Sequence, residues 1–491
     1  MTAQLREAFK ILMKDRVSYS IVYSLIIFRL IFSALVPLGA DESYYFDWSH
    51  AIHLSYFDHP PGVSWLAYLG QFLFGENQFG ARFGSIILHF LATLALIEVS
   101  KKFENPTPKS TLRAIVFCTS FAPILSLGGF FIMPDIGLIF FLSLLALKAL
   151  NILKSGRLEV SDALICGILW GMAFNFKYHA LAIGGGLMMG IFIHRFKKIK
   201  HEIGFWLTLI LTPLMTALPV FIWNYQHEWA SFLFQTNHGF AKPSFDIRPG
   251  FGTLIAQFLL MTPIVMWQYL KSASSIKKSP YHLTLVLGTL PLGVLLIALA
   301  FFKEVLPHWI IPALWLSIPI TAINIGKMSS RLLKLNFIYG FSVILFISFA
   351  VGIKPAKELL LKNLNGKTGS LAELTIWDYI YEDPEVQNLI NSSNTSQCEL
   401  TMLSFRWFST AQLAARFNTL KVYNLDKVKP SYYNYRDENY PSGNCPVIVI
   451  GNKKHLREDD LAAHVEIKDK KMISPKFHED HKYFIAKGLW K

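Results

Sequence analysis

Residues 20–45 read SIVYSLIIFRLIFSALVPLGADESYY: an apolar run long enough to cross a bilayer gives way, with no linker, to Asp41-Glu42-Ser43-Tyr44-Tyr45. Carboxylates are costly in hydrocarbon, so this pair marks where the chain meets water and is a functional candidate by default. Outward from it, apolar stretches of roughly the twenty residues a bilayer requires recur at 79–99, 112–130, 134–152, 161–176, 179–194, 204–223, 251–270, 283–302, 309–325 and 335–352. With the first span at 20–39, the pattern predicts about eleven transmembrane helices. The composition agrees: of 491 residues 53% are hydrophobic and only 16% charged, against about 25% charged in a typical soluble domain. The mean hydropathy is +0.37.

The first twenty residues are basic and polar and lack a small-residue cleavage site, so the first span is expected to act as an uncleaved anchor. After Val351 the apolar runs stop. Residues 1–352 therefore read as a membrane domain, with a first outer loop over 40–78, and 353–491 as a water-soluble α/β domain. With the N-terminus inside, every inner segment is basic: Arg6 to Arg16, Lys101 to Arg113, Lys154 to Arg157, Arg195 to His201, Lys271 to Lys278 and Lys327 to Lys334. The outer segments carry Asp41, Glu42, Asp47, Asp58, Glu76, Asp135, Glu228 and Asp246 with few cations, a positive-inside pattern. The net charge of +14 is thus mostly cytoplasmic loop charge and implies no nucleic-acid partner. An odd span count puts the soluble domain outside. Cys398 and Cys445 lie in that domain and are expected to pair in an oxidising compartment, while Cys118 and Cys166 are packing residues of the spans.

The outer segments hold the chemistry. Tyr44, Tyr45, Trp48, Ile52, Leu54, Tyr56 and Phe57 alternate with polar residues, as in a short amphipathic helix at the headgroup layer. Asp41 and Glu42 are adjacent, so their side chains diverge. One is expected to face a cavity and the other to make structural hydrogen bonds. In Phe57-Asp58-His59-Pro60-Pro61-Gly62 the prolines force an extended turn that fixes Asp58 and His59. Met133-Pro134-Asp135 begins a span on the same side, and Lys177-Tyr178-His179 joins two short ones. A lone outer lysine needs an anionic partner, either a lipid-linked phosphate or one of the outer acids. Gln235 and His238 fall in the long segment 224–250, and Pro307-His308-Trp309 opens another span on that face.

Asp41-Glu42-x-Tyr44-Tyr45, Tyr56-Phe57-Asp58-His59-Pro60-Pro61, Phe79-Gly80-x-Arg82, Pro134-Asp135, Lys177-Tyr178, Trp229-x-Ser231-Phe232 with Gln235, and His308-Trp309-x-x-Pro312 resemble, in order, the bacterial dolichyl-phosphate-mannose protein mannosyltransferase-like family. These are GT-C membrane glycosyltransferases, similar to the lipid A aminoarabinose transferases. The resemblance implies a hexosyl- or pentosyltransferase of the inner membrane. It would move a sugar from a polyprenyl-phosphate donor to an envelope acceptor at the periplasmic face. Asp41 would be the base of a catalytic pair with Glu42; Lys177, Tyr178 and His59 would meet the donor phosphate; Asp58, Asp135, Tyr45, His308, Trp309, Gln235 and His238 would support the cavity. His59 stands where relatives carry a lysine. No cofactor is implied, and a divalent metal is possible but not indicated. Lipid A or another glycolipid is the favoured acceptor, with a protein or polysaccharide as alternatives and a lipid-linked glycan transporter as the rival class.

Overall fold

The computed structural model describes residues 1–491 apart from 197–201, 241–244, 274–278, 304, 365–370, 394–399, 420, 427–428, 437–444 and 479–480; the side chains of 237–240, 273, 330, 351 and 371–374 are likewise not described. The chain opens with α1 (Thr2–Lys14), α2 (Arg16–Leu35), α3 (Ala40–Trp48), α4 (Gly62–Phe74) and α5 (Gln78–Ser100). It continues through α6 (Lys109–Phe121), α7 (Pro123–Leu127), α8 (Pro134–Ser155), α9 (Val160–Phe176), α10 (Ala180–Arg195), α11 (Ile203–Thr216), α12 (Leu218–Gln226) and α13 (Ala230–Phe240). Then come α14 (Ile247–Met261), α15 (Pro263–Ala273), α16 (Pro280–Leu299), α17 (Ile311–Ile325) and α18 (Ser330–Gly352).

Six helices among the described residues are long and apolar enough to cross a bilayer: α2, α5, α8, α16, the 307–325 segment that includes α17, and α18. Leu35, Phe72, Leu181, Leu211 and Ile338 stand more than half exposed on the outside of the bundle. Water would not tolerate so much apolar surface, whereas lipid tails cover it at no cost. The chain is a multi-pass membrane protein.

The sequence pattern needs three corrections here. The stretch 112–130 is not one span: Pro123 lacks an N–H and restricts Ala122 to extended backbone, so α6 stops and α7 restarts. The stretch 251–270 bends by 105° between α14 and α15, and 204–223 by 51° between α11 and α12. The first bend sits at Thr262, which takes a left-handed φ of 69° just before Pro263. The 40–78 segment holds the short helix expected there, α3, and a second one, α4, joined by residues 49–61. Inside the bundle, the Arg29 guanidinium donates to His89 Nδ1 and Ser126, and Lys148 pairs with Asp162.

After α18 come α19 (Lys354–Asn363), α20 (Leu371–Tyr381) and α21 (Pro384–Ser393), then a five-stranded sheet of order β2-β1-β3-β5-β4. Strands β1 (Thr401–Ser404), β2 (Val422–Asn424) and β3 (Pro446–Asn452) are parallel; β4 (Val465–Ile473) and β5 (Tyr483–Trp490) pair antiparallel to each other, and β5 antiparallel to β3. The run Val447-Ile448-Val449-Ile450 is fully buried, as expected of a central strand covered on both faces. Helix α22 (Trp407–Phe417) crosses from β1 to β2 and lies on α3, where Gln412 Nε2 donates to the Leu38 carbonyl at 3.1 Å. Cys445 is disulfide-bonded; Cys398, its expected partner, lies outside the described residues.

Candidate active site

The site is built where α3 begins. Gly39 N–H donates to Glu42 Oε2 at 3.0 Å, closing the first turn of α3 and aiming the two acids in different directions. Asp41 is exposed and lines a cavity of about 350 Å³. Glu42 is buried and turned away from it. Its carboxylate takes Arg82 Nε at 2.7 Å and Nη2 at 2.6 Å, and the Ile132 N–H at 3.1 Å. Arg82, wholly buried on α5, also donates to the carbonyls of Val36 and Pro37. Glu42 is therefore the acid of the adjacent pair that makes the structural hydrogen bonds, tying the 36–42 segment to α5 and to the backbone at Ile132.

The aromatics of α3 correct an expectation. Tyr44, Tyr45, Trp48, Tyr56 and Phe57 are buried, not spread in a headgroup layer. Trp48 stacks on Tyr56 with ring centroids 4.1 Å apart, and Tyr44, Trp48 and Tyr56 form one core with Tyr432 and Tyr433 of the sheet region. Only Ile52 and Leu54 of that run stay exposed. The packing fixes Asp58. Tyr432 N–H donates to the Tyr44 hydroxyl at 2.6 Å, and that hydroxyl donates to Asp58 Oδ2 at 2.6 Å. Gln235 Nε2 donates to the Asp58 carbonyl at 2.7 Å. Gln235 reaches there because Glu228 and Trp229, both with left-handed φ (53° and 61°), turn the chain back from α12 into α13. Burial pushes the Asp58 carboxyl up to about 7; the Tyr44 bond opposes this and the charge of Asp41 reinforces it.

Lys177 ends α9 in extended backbone. The preceding Phe176 fits its ring against Gly137 and Gly62, where an added Cβ would stand 2.1 Å and 2.6 Å from the ring. Those glycines let α4, α8 and the end of α9 close together, which sets where Lys177 emerges. Its ammonium donates to both Asp135 oxygens, at 2.9 Å and 2.8 Å, and both residues are buried. Of the two partners the sequence left open for Lys177, the structure contains the acid. His59 and His179 flank this pair, and burial together with the nearby Lys177 charge holds both imidazoles down to about 3.

One cavity collects these groups. Its polar end is lined by Asp41, Asp58 and Lys177, with the imidazoles of His59, His179 and His308. Tyr45, Tyr178, Gln235 and Trp309 complete the expected lining residues; Asp135 reaches it through Lys177, and the His238 side chain lies outside the description. Its other end is a wall of leucines, Leu292, Leu295, Leu296 and Leu299 of α16 with Leu306. Lys303, Trp407 and these leucines were not found from sequence. Tyr178, whose hydroxyl is 2.6 Å from Ser231 Oγ, and Gln235 also border a second cavity of about 500 Å³. That one is almost wholly apolar, lined by Trp170, Phe174, Leu214 and Phe221 among others. Among the described residues no group of three His, Cys, Asp or Glu side chains converges as a metal site.

Residues 58–223 match the family model described as dolichyl-phosphate-mannose-protein mannosyltransferase. The chain is 26% identical over 233 residues to the lipid A galacturonosyltransferase RgtD of Rhizobium johnstonii, an overlap of 47% of this chain and 48% of that one. It is 25% identical over 186 residues to the undecaprenyl phosphate-alpha-4-amino-4-deoxy-L-arabinose arabinosyl transferase of Edwardsiella ictaluri, covering 37% and 33% of the two chains. The chain thus spans half or less of the length of the curated relatives it matches. In fold it is similar to ArnT from Cupriavidus metallidurans bound to undecaprenyl phosphate, with a TM-score of 0.64 at 12% identity over 95% of this chain and 97% of that one. The chain thus shares its fold with ArnT, and in sequence it is similar to the lipid A galacturonosyltransferase and the arabinosyl transferases.

Proposed function

We propose that this chain is a glycosyltransferase of the bacterial inner membrane, taking a sugar from a polyprenyl-phosphate donor and passing it to an envelope glycolipid at the periplasmic face. One observation carries the reading: a single cavity is lined by carboxylates, a lysine with three imidazoles, and a group of leucines from α16. That combination suits a molecule with a phosphate head and an isoprenoid tail, and a nucleotide sugar would have no use for the leucines.

The chemistry follows from the donor. A sugar esterified to phosphate already carries a stable anionic leaving group, so no strong acid is required. The reaction needs a base for the incoming hydroxyl and a cation beside the departing phosphate. Asp41, at the mouth of the cavity, serves as the base. Lys177 stabilises the leaving phosphate, and Asp135 holds the ammonium in place until the donor arrives. Attack from the side opposite the phosphate inverts the anomeric carbon. The second, apolar cavity meets the first at Tyr178 and Gln235. It favours an acceptor that also carries alkyl chains, such as lipid A, over a peptide or a polysaccharide.

Purified protein in nanodiscs, given a radiolabelled polyprenyl-phosphate sugar and lipid A, tests this. Wild type transfers label to lipid A with inverted configuration. Asp41→Asn loses about 10²–10⁴-fold in rate, the range for removing a general base, while still binding donor. Full activity in Asp41→Asn, or a retained anomeric configuration, overturns the mechanism.

A further inference from the structure

His59, His179 and His308 arrive from three separate segments, the loop after α3, the α9–α10 junction and the turn before α17, and all line the polar end of the same cavity. Each interacts electrostatically with both Lys177 and Asp135. The Nδ1 atoms of His59 and His179 are buried and make no hydrogen bond within the protein. A histidine kept for packing alone would spend that nitrogen, since a buried polar atom left unsatisfied costs about 1–3 kcal/mol.

We propose that binding of the phosphodiester donor is coupled to uptake of a proton by this imidazole cluster, at His59 and His179, so that donor affinity rises as the pH falls. The proposal rests on the reading of this cavity as a lipid-phosphate site and adds its regulation. The groups facing the cluster set the direction. Asp41 and the neutral phenol of Tyr45 come from α3, Asp58 from the same loop as His59, Asp135 from α8, Lys177 from the end of α9, and Lys303 from beyond α16. With the cavity free of donor, Lys177 and burial keep the imidazoles neutral. A diester adds a permanent negative charge and engages Lys177, so the charge that faces the imidazoles becomes more negative when donor binds. An opposite charge within about 4–6 Å raises an imidazole's proton affinity by one to three units. The imidazolium then donates from both ring nitrogens, one of them an Nδ1 that previously had no partner.

The test is isothermal calorimetry on the full-length protein in nanodiscs, with the methyl diester of farnesyl phosphate as probe. A diester has no ionisation of its own in the working range, so any proton exchanged belongs to the protein. Titrations in two buffers of different ionisation enthalpy count those protons. The expected result is binding a few-fold tighter at about pH 5.5 than at about pH 8, with uptake of a fraction of a proton that grows as the pH falls. His59→Gln/His179→Gln should lose the gain in affinity between the higher and the lower pH, whatever its affinity at the higher one; the single variants should lose part of that gain. Asp58 also takes up protons in this range, so the part of the pH slope that belongs to the imidazoles is the part that persists in Asp58→Asn. Loss of the slope in Asp58→Asn with retention in the histidine variants assigns the proton to Asp58 and overturns the proposal. So does wild-type affinity that is the same at both pH values without proton uptake, a result that leaves the lipid-phosphate reading standing. A diester that binds at neither pH removes that reading, and the proposal with it.

Discussion

Glu42 and Arg82 give the sharpest separation between a residue that does chemistry and one that holds the chemistry in place. The Arg82 guanidinium is wholly inaccessible, and it makes four hydrogen bonds, two to Glu42 and one each to the carbonyls of Val36 and Pro37. Glu42→Ala leaves that cation buried without a counter-charge, and removing one partner of a buried pair costs about 3–5 kcal/mol. The Gly39 and Ile132 N–H groups lose their acceptor at the same time, which acts in the same direction. Glu42→Gln keeps the shape and one acceptor oxygen but not the charge, so it should fall short of that range while remaining clearly destabilised. Replacing both partners by apolar groups, as in Glu42→Leu/Arg82→Met, should recover much of the loss, because no charge is then stranded. Thermal unfolding in nanodiscs, followed by tryptophan fluorescence, measures the stability cycle; sugar transfer is measured beside it. Stability and transfer should fall together in the single variants, since the 36–42 segment that carries Asp41 loses its anchor. A Glu42→Gln protein as stable as wild type yet inactive would refute the assignment and return Glu42 to the catalytic pair.

Three further outcomes follow from the same geometry. The Asp58 carboxyl rises from 3.8 to about 7 on folding, so between those values the folded state holds a proton that the unfolded chain has released; its contribution to stability is therefore greatest at acid pH and declines as the pH climbs through that window, by at most about 4 kcal/mol. Asp58→Asn should flatten the unfolding profile between about pH 4 and pH 7, and an unchanged slope contradicts the shift. Gly137→Ala sets a methyl 2.1 Å from the Phe176 ring and should cost about 1–3 kcal/mol, read by thermal unfolding, with reduced transfer because Lys177 follows Phe176; adding Phe176→Leu should restore part of both. Tyr44→Phe strands the Tyr432 N–H and should destabilise by about 1–3 kcal/mol, measured in the same unfolding assay, with Asp58 losing its phenol donor.

The sequence was most legible where physics acts locally. Hydropathy locates the helices because crossing a bilayer leaves a run of apolar residues, and the polar groups at their ends are too costly to be incidental. Asp41, Asp58, His59, Lys177, Tyr178, Gln235, His308 and Trp309 were all singled out from such ends, and all line one cavity. What stayed hidden depends on partners distant in the chain. Nothing local distinguishes Asp41 from Glu42; the difference is made by Arg82, forty residues on, which takes one carboxylate and leaves the other. The aromatics from Tyr44 to Phe57 have the same composition whether they meet headgroups or Tyr432 and Tyr433. The leucines of α16 that line the cavity are spelled like those that face lipid. The bend at Thr262 needs a left-handed φ that a threonine does not advertise.

The same long-range dependence means that the sheet region is part of the site. Trp407 lines the cavity, and the Tyr432 N–H orients the Tyr44 hydroxyl so that its proton points at Asp58. Without that donor the phenol is free to rotate, and Asp58 loses a hydrogen bond that favours its charged form. The aromatic face of α3 would also be uncovered: Tyr44, Trp48 and Tyr56 are buried largely against residues beyond 370. Exposed rings of that size seek another apolar surface, and the leucine-lined cavity that Tyr44 and Tyr45 already border offers one. A protein ending after α18 should therefore insert in the membrane and still fail at the site. The protonation state of Asp58 and the openness of the cavity are both set by contacts that the membrane helices do not supply.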